Sequence, residues 1–308
     1  MKFIKKAAVA VILCAAAVNM YGNYSDLIYQ TVGGAFSLAA TVFEELYPDT
    51  VAPKRGKNAP TEETSETVST AVETFSTNPC GWYCMHKKNG ERPPLPGEMS
   101  YIGNYGGYYL GDDEKVIYLT FDAGYENGNI EKILDTLKAE EVPAAFFILE
   151  NLVESNTELV MRMADEGHLV CNHTAKHKDM TKMATESDFA AELARMENVY
   201  TEITGRKLAH YFRPPEGKIS EQSLAWADSL GYKTILWSYA YADWDNAKQP
   251  DPSVAVEKII SGTHNGEVLL LHPTSSTNAE ILPELIHRWK EMGYRFGTLD
   301  ELTGSDKG

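Results

Sequence analysis

The sequence predicts an α/β fold, a distorted (β/α) barrel with about seven parallel strands. Short apolar runs recur along the chain from residue 116 to residue 298, and segments with helical periodicity separate them. Because strands and helices alternate, the sheet is expected to be parallel. The runs are one short of the eightfold barrel, and an open doubly wound sheet is the alternative.

Each predicted element rests on its own local pattern. The strands are the apolar runs at 116–121, 143–149, 168–172, 209–213, 233–237, 267–271 and 294–298. The helices carry apolar residues at helical spacing at 130–140, 155–166, 186–203, 220–230, 253–261 and 279–292. No segment resembles a glycine-rich phosphate loop.

The first residues predict export to the cell envelope or the extracellular space. Lysines precede an uncharged apolar run at 7–18, which is typical of a signal peptide, predicted over residues 1–22. The run is too short to cross a bilayer comfortably. A lipoprotein anchor at Cys14 is disfavoured, because the bulky Leu13 stands where a small residue is needed.

Two segments separate the signal from the working domain. Residues 23–52 include apolar positions at helical spacing, which predict an amphipathic helix. Through residues 24–50 this helix either associates with a membrane or packs on the domain. Residues 53–79 are rich in Thr, Ser and Glu and poor in large apolar residues, so they are interpreted as a linker. The working domain is placed at 80–305.

Net charge excludes some classes of binding partner, and the cysteine positions limit the possible disulfides. The formal net charge of −16 argues against nucleic acid and anionic membrane surfaces as partners, and a monomer is expected. Cys80 and Cys84 are close enough to pair outside the cell, or they are two unpaired thiols. Cys171 is expected to be a small buried residue on a strand.

Polar side chains follow five of the predicted strands, at the point where each strand ends. In parallel α/β folds the reactive groups gather at the carboxyl ends of the strands. Each residue alone has a structural explanation, such as a helix cap for Asp122 or an ion pair for Arg213. Five converging strand ends are harder to explain in that way. The residues are Asp122, His173, His177, Arg213, Asp243 and His272.

His173 and His177 form an H-x3-H pair that predicts a metal site. Two neutral imidazoles can hold a divalent cation, which polarises a carbonyl group and lowers the pKa of a water molecule. The expected ion is zinc, with cobalt or manganese as alternatives. Spacing alone is weak evidence, because such pairs also occur by chance.

The other four residues supply acid and base chemistry for the hydrolysis of an amide. Asp122 can take a proton from the attacking water, and His272 can donate one to the leaving amine. Arg213 would keep Asp122 ionised and oriented. Asp243 would favour the protonated form of His272.

Five stretches together resemble the NodB-type polysaccharide deacetylases, carbohydrate esterase family four. TFDAGYENG, NHTAKH, FRPPEG, WSYAYADWD and LLLH occur in the order and approximate spacing of the family's five motifs, over roughly residues 100 to 302. DAGYENG, RPPEG and AYADW are most similar to the branch that deacetylates N-acetylmuramic acid in peptidoglycan, including enzymes of muramic δ-lactam formation. The resemblance implies a distorted barrel and the same six catalytic and metal-binding roles.

The resemblance also implies a substrate groove. Trp244 matches an aromatic residue that lines it, and Tyr125 in the first motif is assigned to it. Glu216 replaces a tyrosine whose backbone N–H helps to hold the oxyanion, a donor that any side chain retains. Its carboxylate would, however, face the lactyl group of muramic acid, which is acidic where the stem peptide is absent, and would repel it.

One position departs from the family pattern. Most members have a second aspartate after the catalytic base, which is the third protein ligand to the metal, whereas this chain has Ala123. Two histidines can still bind an ion, but more weakly. The muramic acid deacetylases that the chain resembles share this departure, so it is interpreted as a subgroup trait.

We therefore expect an exported hydrolase that acts on a peptidoglycan glycan strand and removes the N-acetyl group of N-acetylmuramic acid. One alternative is the same reaction on N-acetylglucosamine or chitooligosaccharides. Another is a glycan-binding protein with weak catalysis, which Ala123 favours. A serine esterase is disfavoured, because no serine stands in a nucleophile-elbow context.

Overall fold

The computed structural model of the chain describes residues 75–305. The predicted signal peptide at 1–22, the helix at 23–52 and most of the linker at 53–79 lie outside the described residues and stay predictions. Within residues 75–305, no helix is long and apolar enough to cross a membrane.

The centre of the fold is a nine-stranded sheet in which every pair of neighbouring strands is parallel. Its strands are β2 (Gly107–Tyr108), β3 (Val116–Ala123), β4 (Ala145–Ile148), β5 (Leu169–Asn172), β6 (Ala209–Phe212), β8 (Lys233–Ile235), β9 (Tyr239–Ala240), β10 (Glu267–Leu271) and β11 (Arg295–Phe296). The other two strands within residues 75–305, β1 (Cys80–Gly81) and β7 (Lys218–Ile219), form a separate antiparallel pair.

The sheet curls into a distorted barrel, and one short chain segment supplies a strand next to one end of the sheet and the strand at the other end. The strand order is β2-β8-β6-β5-β4-β3-β10-β9, with β11 beside the start of β3. Residues 233–240 carry β8, which pairs with β6, and then β9, which pairs with β10. The predicted distorted barrel is confirmed, and the open doubly wound sheet is wrong.

Helices follow the strands and cover the sheet. They are α1 (Ile130–Ala139), α2 (Glu150–Ser155), α3 (Thr157–Asp165), α4 (Glu186–Thr204), α5 (Glu221–Ser229), α6 (Pro252–Gly262), α7 (Ser276–Glu291) and α8 (Leu299–Thr303). Several begin at a side chain that satisfies a free backbone N–H group. Asp251 accepts from two such groups at the start of α6, and Ser220 forms a reciprocal capping box with Ser223 at the start of α5.

The alternation of β3 separates two apolar clusters and aims the strand's last polar side chain. Ile117, Leu119 and Phe121 pack with the helices in one cluster, whereas Val116 and Tyr118 pack in a second one. Successive side chains of a strand point to opposite faces, so Asp122 shares the face of the second cluster. Ala123 falls in the first cluster and is fully buried.

The three cysteines within residues 75–305 form no disulfide. Cys171 is buried on β5, as predicted. Cys80 and Cys84 are both free thiols, which agrees with the interpretation as unpaired thiols and not with a disulfide.

A buried carboxyl group lies at the start of β10. Glu267 has no exposed surface, its Oε2 accepts the N–H of His264 at 3.1 Å, and its Oε1 has no hydrogen-bond partner among the described residues. Burial raises its pKa to about 8, against a weaker lowering by the His264 hydrogen bond. Near neutral pH the Glu267 carboxyl group is therefore protonated in the folded chain and ionised in the unfolded chain.

This proton makes stability depend on pH. A folded pKa above the unfolded value gives stability that is complete below the unfolded pKa and is lost as pH rises toward 8. Glu267→Gln should remove a loss on the order of 2 to 3 kcal/mol between pH 5 and 8. Urea unfolding at a series of pH values measures it, with the exposed Glu280→Gln as control. Parallel curves for the variant and the original chain would contradict the prediction.

Candidate active site

A cavity of about 620 Å³ opens at the carboxyl ends of the strands. Seven of the nine residues that the sequence singled out line it, and the other two, Arg213 and Asp243, lie behind two of the seven and bond to them. The lining residues among the nine are Asp122, Tyr125, His173, His177, Glu216, Trp244 and His272.

Arg213 and Asp122 form a buried ion pair at the base of the cavity. Arg213 directly follows β6, and its Nη1 donates to Asp122 Oδ1 at 2.8 Å. Its Nε donates to the carbonyl oxygen of Ile235 at 2.9 Å, and its guanidinium lies 4.1 Å from the ring centroid of Phe147. The Arg213 side chain is 0% exposed, so its position is fixed on all sides.

The charge of Arg213 decides the ionisation of Asp122. Burial alone would raise the pKa of this carboxyl group. The nearby Arg213 charge, with smaller contributions from His173 and His272 and the hydrogen bond from Arg213, outweighs burial and lowers the pKa below its usual value. Asp122 is therefore a carboxylate at neutral pH and can accept a proton.

His173 is held as a neutral imidazole with one free nitrogen. Its Nδ1 lies 2.8 Å from the carbonyl oxygen of Arg213 and must donate to it, which leaves the lone pair on Nε2. Burial lowers its pKa to about 4, against the raising effect of Asp122. The 3.6 Å contact between His173 Nε2 and Asp122 Oδ2 is therefore no ion pair at neutral pH.

The two histidines fit a divalent cation, and their surroundings supply no third ligand. The ring centroids of His173 and His177 are 5.1 Å apart. A bond from the second ring nitrogen to a carbonyl group, as in His173, is how proteins orient histidines that bind metals. Ala123 offers no donor, and among residues 75–305 no group of three His, Cys, Asp or Glu side chains could hold an ion. Water or substrate would have to complete the coordination.

His272 and Asp243 form a hydrogen-bonded pair on the other wall. His272 Nδ1 lies 2.7 Å from Asp243 Oδ1, and the His272 backbone N–H donates to Asp243 Oδ2 at 2.8 Å. Burial lowers the pKa of His272, but the hydrogen bond and charge of Asp243, with the charge of Asp122, outweigh it and raise the pKa. His272 therefore keeps its proton to higher pH than a free histidine.

Asn278 is a site residue that the sequence pattern missed. Its Nδ2 donates to Asp243 Oδ2 at 2.6 Å and to the carbonyl oxygen of His272 at 3.0 Å, and its Oδ1 accepts from the hydroxyl group of Tyr241. It lies on the first turn of α7 and is buried. No sequence signal marked it, because the neighbouring Thr277 is also polar and buried on this helix.

The rim of the cavity carries the three residues assigned to the substrate groove. Trp244 is 61% exposed, and its ring centroid lies 6.2 Å from that of His272. The Tyr125 hydroxyl group accepts from Asn246 Nδ2 at 2.6 Å, which links two loops of the rim. Glu216 has a left-handed backbone with φ of 57°, and its side chain lies at the surface.

Comparisons with known proteins identify the family of this chain. A polysaccharide deacetylase family model matches residues 110–235. The peptidoglycan-N-acetylmuramic acid deacetylase PdaA of Bacillus subtilis is 39% identical over 234 residues, which cover 75% of this chain and 88% of that protein. The chain belongs to the polysaccharide deacetylase family.

A solved structure and one further relative extend the comparison. The solved structure of Bacillus subtilis PdaA, a family 4 carbohydrate esterase, superimposes with a TM-score of 0.72 at 37% identity and covers 75% of this chain and 99% of that one. The peptidoglycan-N-acetylglucosamine deacetylase PgdA of Listeria monocytogenes is 34% identical over 194 residues, 62% of this chain and 39% of that protein. Relatives of this chain thus include proteins named for either sugar of peptidoglycan.

The charge of Asp243 should control the titration of His272. In Asp243→Asn the raising contribution of Asp243 is lost, while burial and the smaller contribution of Asp122 remain, so the pKa of His272 should fall below that of the original chain. NMR titration of the His272 ring protons measures it. The neighbouring exposed Asp245→Asn is the matched control, and an unchanged His272 pKa in the first variant would contradict the assignment.

Proposed function

We propose that this chain hydrolyses the N-acetyl amide of peptidoglycan amino sugars, with N-acetylmuramic acid as the preferred substrate. The observation that carries the proposal is that one cavity holds both a deprotonated carboxylate and a protonated imidazole. The pKa of Asp122 is lowered and that of His272 is raised, each by a buried partner of opposite charge. Amide hydrolysis needs one base and one acid at the same pH.

In the proposed reaction these residues act on opposite sides of the scissile bond. Asp122 takes the proton of the attacking water, while Arg213 keeps its carboxylate oriented. His272 gives its proton to the leaving amine, and Asp243 stabilises the imidazolium before the transfer. The backbone N–H of Glu216, on the cavity wall, is assigned to the oxyanion.

His173 and His177 are the residues proposed to hold a divalent cation, with zinc expected and cobalt or manganese as alternatives. Enzymes of this family generally depend on a metal ion. A cation bound there supplies polarisation of the amide carbonyl and a lower pKa for the attacking water. The role of this chain is to keep the His173 imidazole neutral and its Nε2 free, which burial and the bond to the Arg213 carbonyl group do.

The Glu216 carboxylate is paired with a neighbouring ammonium group, which removes an obstacle to muramic acid as the substrate. Lys218 Nζ lies 2.7 Å from Glu216 Oε2 and 3.5 Å from Asp179 Oδ2. The hydrogen bond and charge of Lys218 lower the pKa of Glu216, so the pair is ionic. With its charge balanced, Glu216 need not repel an acidic lactyl group at this rim.

The setting proposed for the reaction is the cell envelope. Residues 1–22 are proposed to be a signal peptide, and residues 53–79 a linker that keeps the domain away from its attachment. Residues 24–50 are proposed to associate with a membrane or with the domain, and the chain is proposed to act as a monomer on the glycan strand. The relatives named above are peptidoglycan deacetylases, which supports this location.

Replacing the proposed base should abolish the reaction without unfolding the domain. Asp122→Asn keeps the shape of the side chain but cannot take a proton, so acetate release from purified glycan strands should fall by at least 10²-fold, on the order of a general-base contribution. Circular dichroism checks the fold, and Asp112→Asn, an exposed change, is the control. Acetate release within a few-fold of the control would remove Asp122 from this role.

Removing the Lys218 charge should affect muramic acid more than glucosamine. In Lys218→Met the Glu216 carboxylate is left bare, so the KM for glycan strands with free lactyl groups should rise about two- to fivefold, the order of one exposed ion pair. The KM for neutral chitooligosaccharides should not change, and Glu216→Gln in the same background should reverse the effect. Equal shifts for both substrates would contradict a lactyl group at this rim.

Analysis of the reaction products distinguishes the proposed function from N-acetylglucosamine deacetylation and from glycan binding with weak catalysis. Mass spectrometry of muropeptides after incubation shows which sugar has lost its acetyl group, so loss from glucosamine alone would favour the N-acetylglucosamine alternative. A glycan-binding protein with weak catalysis is favoured by Ala123, which removes one family ligand. Glycan binding without acetate release under zinc, cobalt or manganese would support that alternative.

A further inference from the structure

The loop that carries both histidines contains two left-handed residues that are not glycine. Thr174 has φ of 71° and His177 has φ of 54°. This backbone region is unfavourable for residues with a side chain and persists only where surrounding contacts impose it. The contacts that impose it here therefore decide where the His177 imidazole lies.

The first half of the loop is tied to the sheet by Asn172, the last residue of β5. Its Oδ1 accepts the N–H of Thr174 at 2.8 Å, and its Nδ2 donates to the carbonyl oxygen of Leu193 at 3.1 Å and to the Tyr232 hydroxyl group at 2.9 Å. Thr174 Oγ1 in turn accepts the N–H of His177 at 2.9 Å. These bonds fix the approach to His177 from one side.

The second half of the loop is held by a buried carboxylate of α4. Glu192 Oε1 accepts the backbone N–H of Lys176 at 2.8 Å, and Glu192 Oε2 lies 2.6 Å from Lys178 Nζ. The two contacts fall on the residues directly before and after His177. The Glu192 side chain is only 4% exposed, and hydrogen bonds to a buried charge are stronger than those between neutral groups.

A second buried carboxylate supports the same segment less directly. Glu150 accepts from Arg195 Nε at 2.6 Å and Nη2 at 2.9 Å, and it pairs with the Lys176 ammonium group. These contacts hold the side chain of Lys176, whereas Glu192 holds its backbone. Glu192 is therefore the more direct constraint on His177.

We propose that Glu192 is a positioning residue, which fixes the chain on both sides of His177 so that its imidazole stands beside His173 before a cation binds. The inference rests on the proposed function, in which these two histidines hold the ion. Ordering a ligand in advance removes the cost of ordering it on binding. With Ala123 unable to donate, two side chains must supply all the protein ligation that the described residues offer.

The test measures ion affinity in the full-length chain, with cobalt(II) as the probe. Glu192→Ala should weaken cobalt(II) binding about 10- to 100-fold, the order seen when a residue that supports a metal ligand is lost. Glu192→Gln should weaken it less, because the amide oxygen can still accept the Lys176 N–H. Glu202→Gln, an exposed change on the same helix, is the matched control. Competition with a chelator gives the dissociation constants.

A second measurement is made without any ion. Hydrogen exchange of the His177 amide, which bonds to Thr174 Oγ1, should be faster in both Glu192 variants than in Glu202→Gln. A folded Glu192→Ala with a cobalt(II) affinity within twofold of the control and unchanged exchange at His177 would overturn the proposal. If that variant does not fold, Glu192→Gln and Lys178→Met carry the same comparison.

Failure of this inference is distinguishable from failure of the proposed function. If the original chain binds no cobalt(II), the metal role of the histidines fails, and the exchange rate at His177 still decides whether Glu192 fixes the loop. If the original chain binds the ion and the Glu192 variants bind it equally well, the positioning role alone fails.

Discussion

The buried ion pair between Arg213 and Asp122 is the interaction on which the rest of the site depends. A guanidinium group without exposed surface is costly unless it is paired and fully bonded, and Asp122 is its charge partner. Arg213 also bonds the carbonyl oxygen of Ile235, at the end of β8, and its own carbonyl oxygen fixes the tautomer of His173. Arg213 therefore connects the proposed base, a histidine of the proposed metal site and the strand β8.

On both walls of the cavity, charged partners shift the pKa of a buried group, downward for Asp122 and upward for His272. Burial disfavours the charged form of both Asp122 and His272, yet in each case a buried partner of opposite charge, together with smaller contributions from the other charged groups of the cavity, outweighs burial. The carboxylate therefore stays ionised and the imidazole stays protonated over a shared range of pH. His173 has no such partner strong enough to outweigh burial, and it remains neutral in the same environment.

Periodicity was sufficient to predict the barrel, because each of the seven predicted apolar runs coincides with a strand of the sheet, namely β3, β4, β5, β6, β8, β10 and β11. It missed β1, β2, β7 and β9, since a strand of two residues has too few positions to show a period, and β11, of the same length, was found only because a longer run contains it. The site residues at strand ends could be predicted, because parallel strands bring their carboxyl ends to one edge. Asn278 and Glu192 could not, since both act through contacts that only the packing of α7 and α4 creates. The pair of Glu216 and Lys218 likewise depends on the left-handed backbone of Glu216, which a residue other than glycine does not predict.

Ala123 changes what the remaining residues must do. Asp122 and Arg213 already cancel each other's charge, so a cation beside His173 and His177 would find no uncompensated carboxylate among the described side chains that line the cavity next to it. Electrostatic attraction, which a second aspartate would supply, is then weak, and affinity depends on how well the two imidazoles are placed. The buried bonds of Asn172, Thr174 and Glu192 around the histidine loop are the contacts that set this placement. In the proposed metal site, the rigidity of this loop therefore replaces part of the binding energy that a third protein ligand would give.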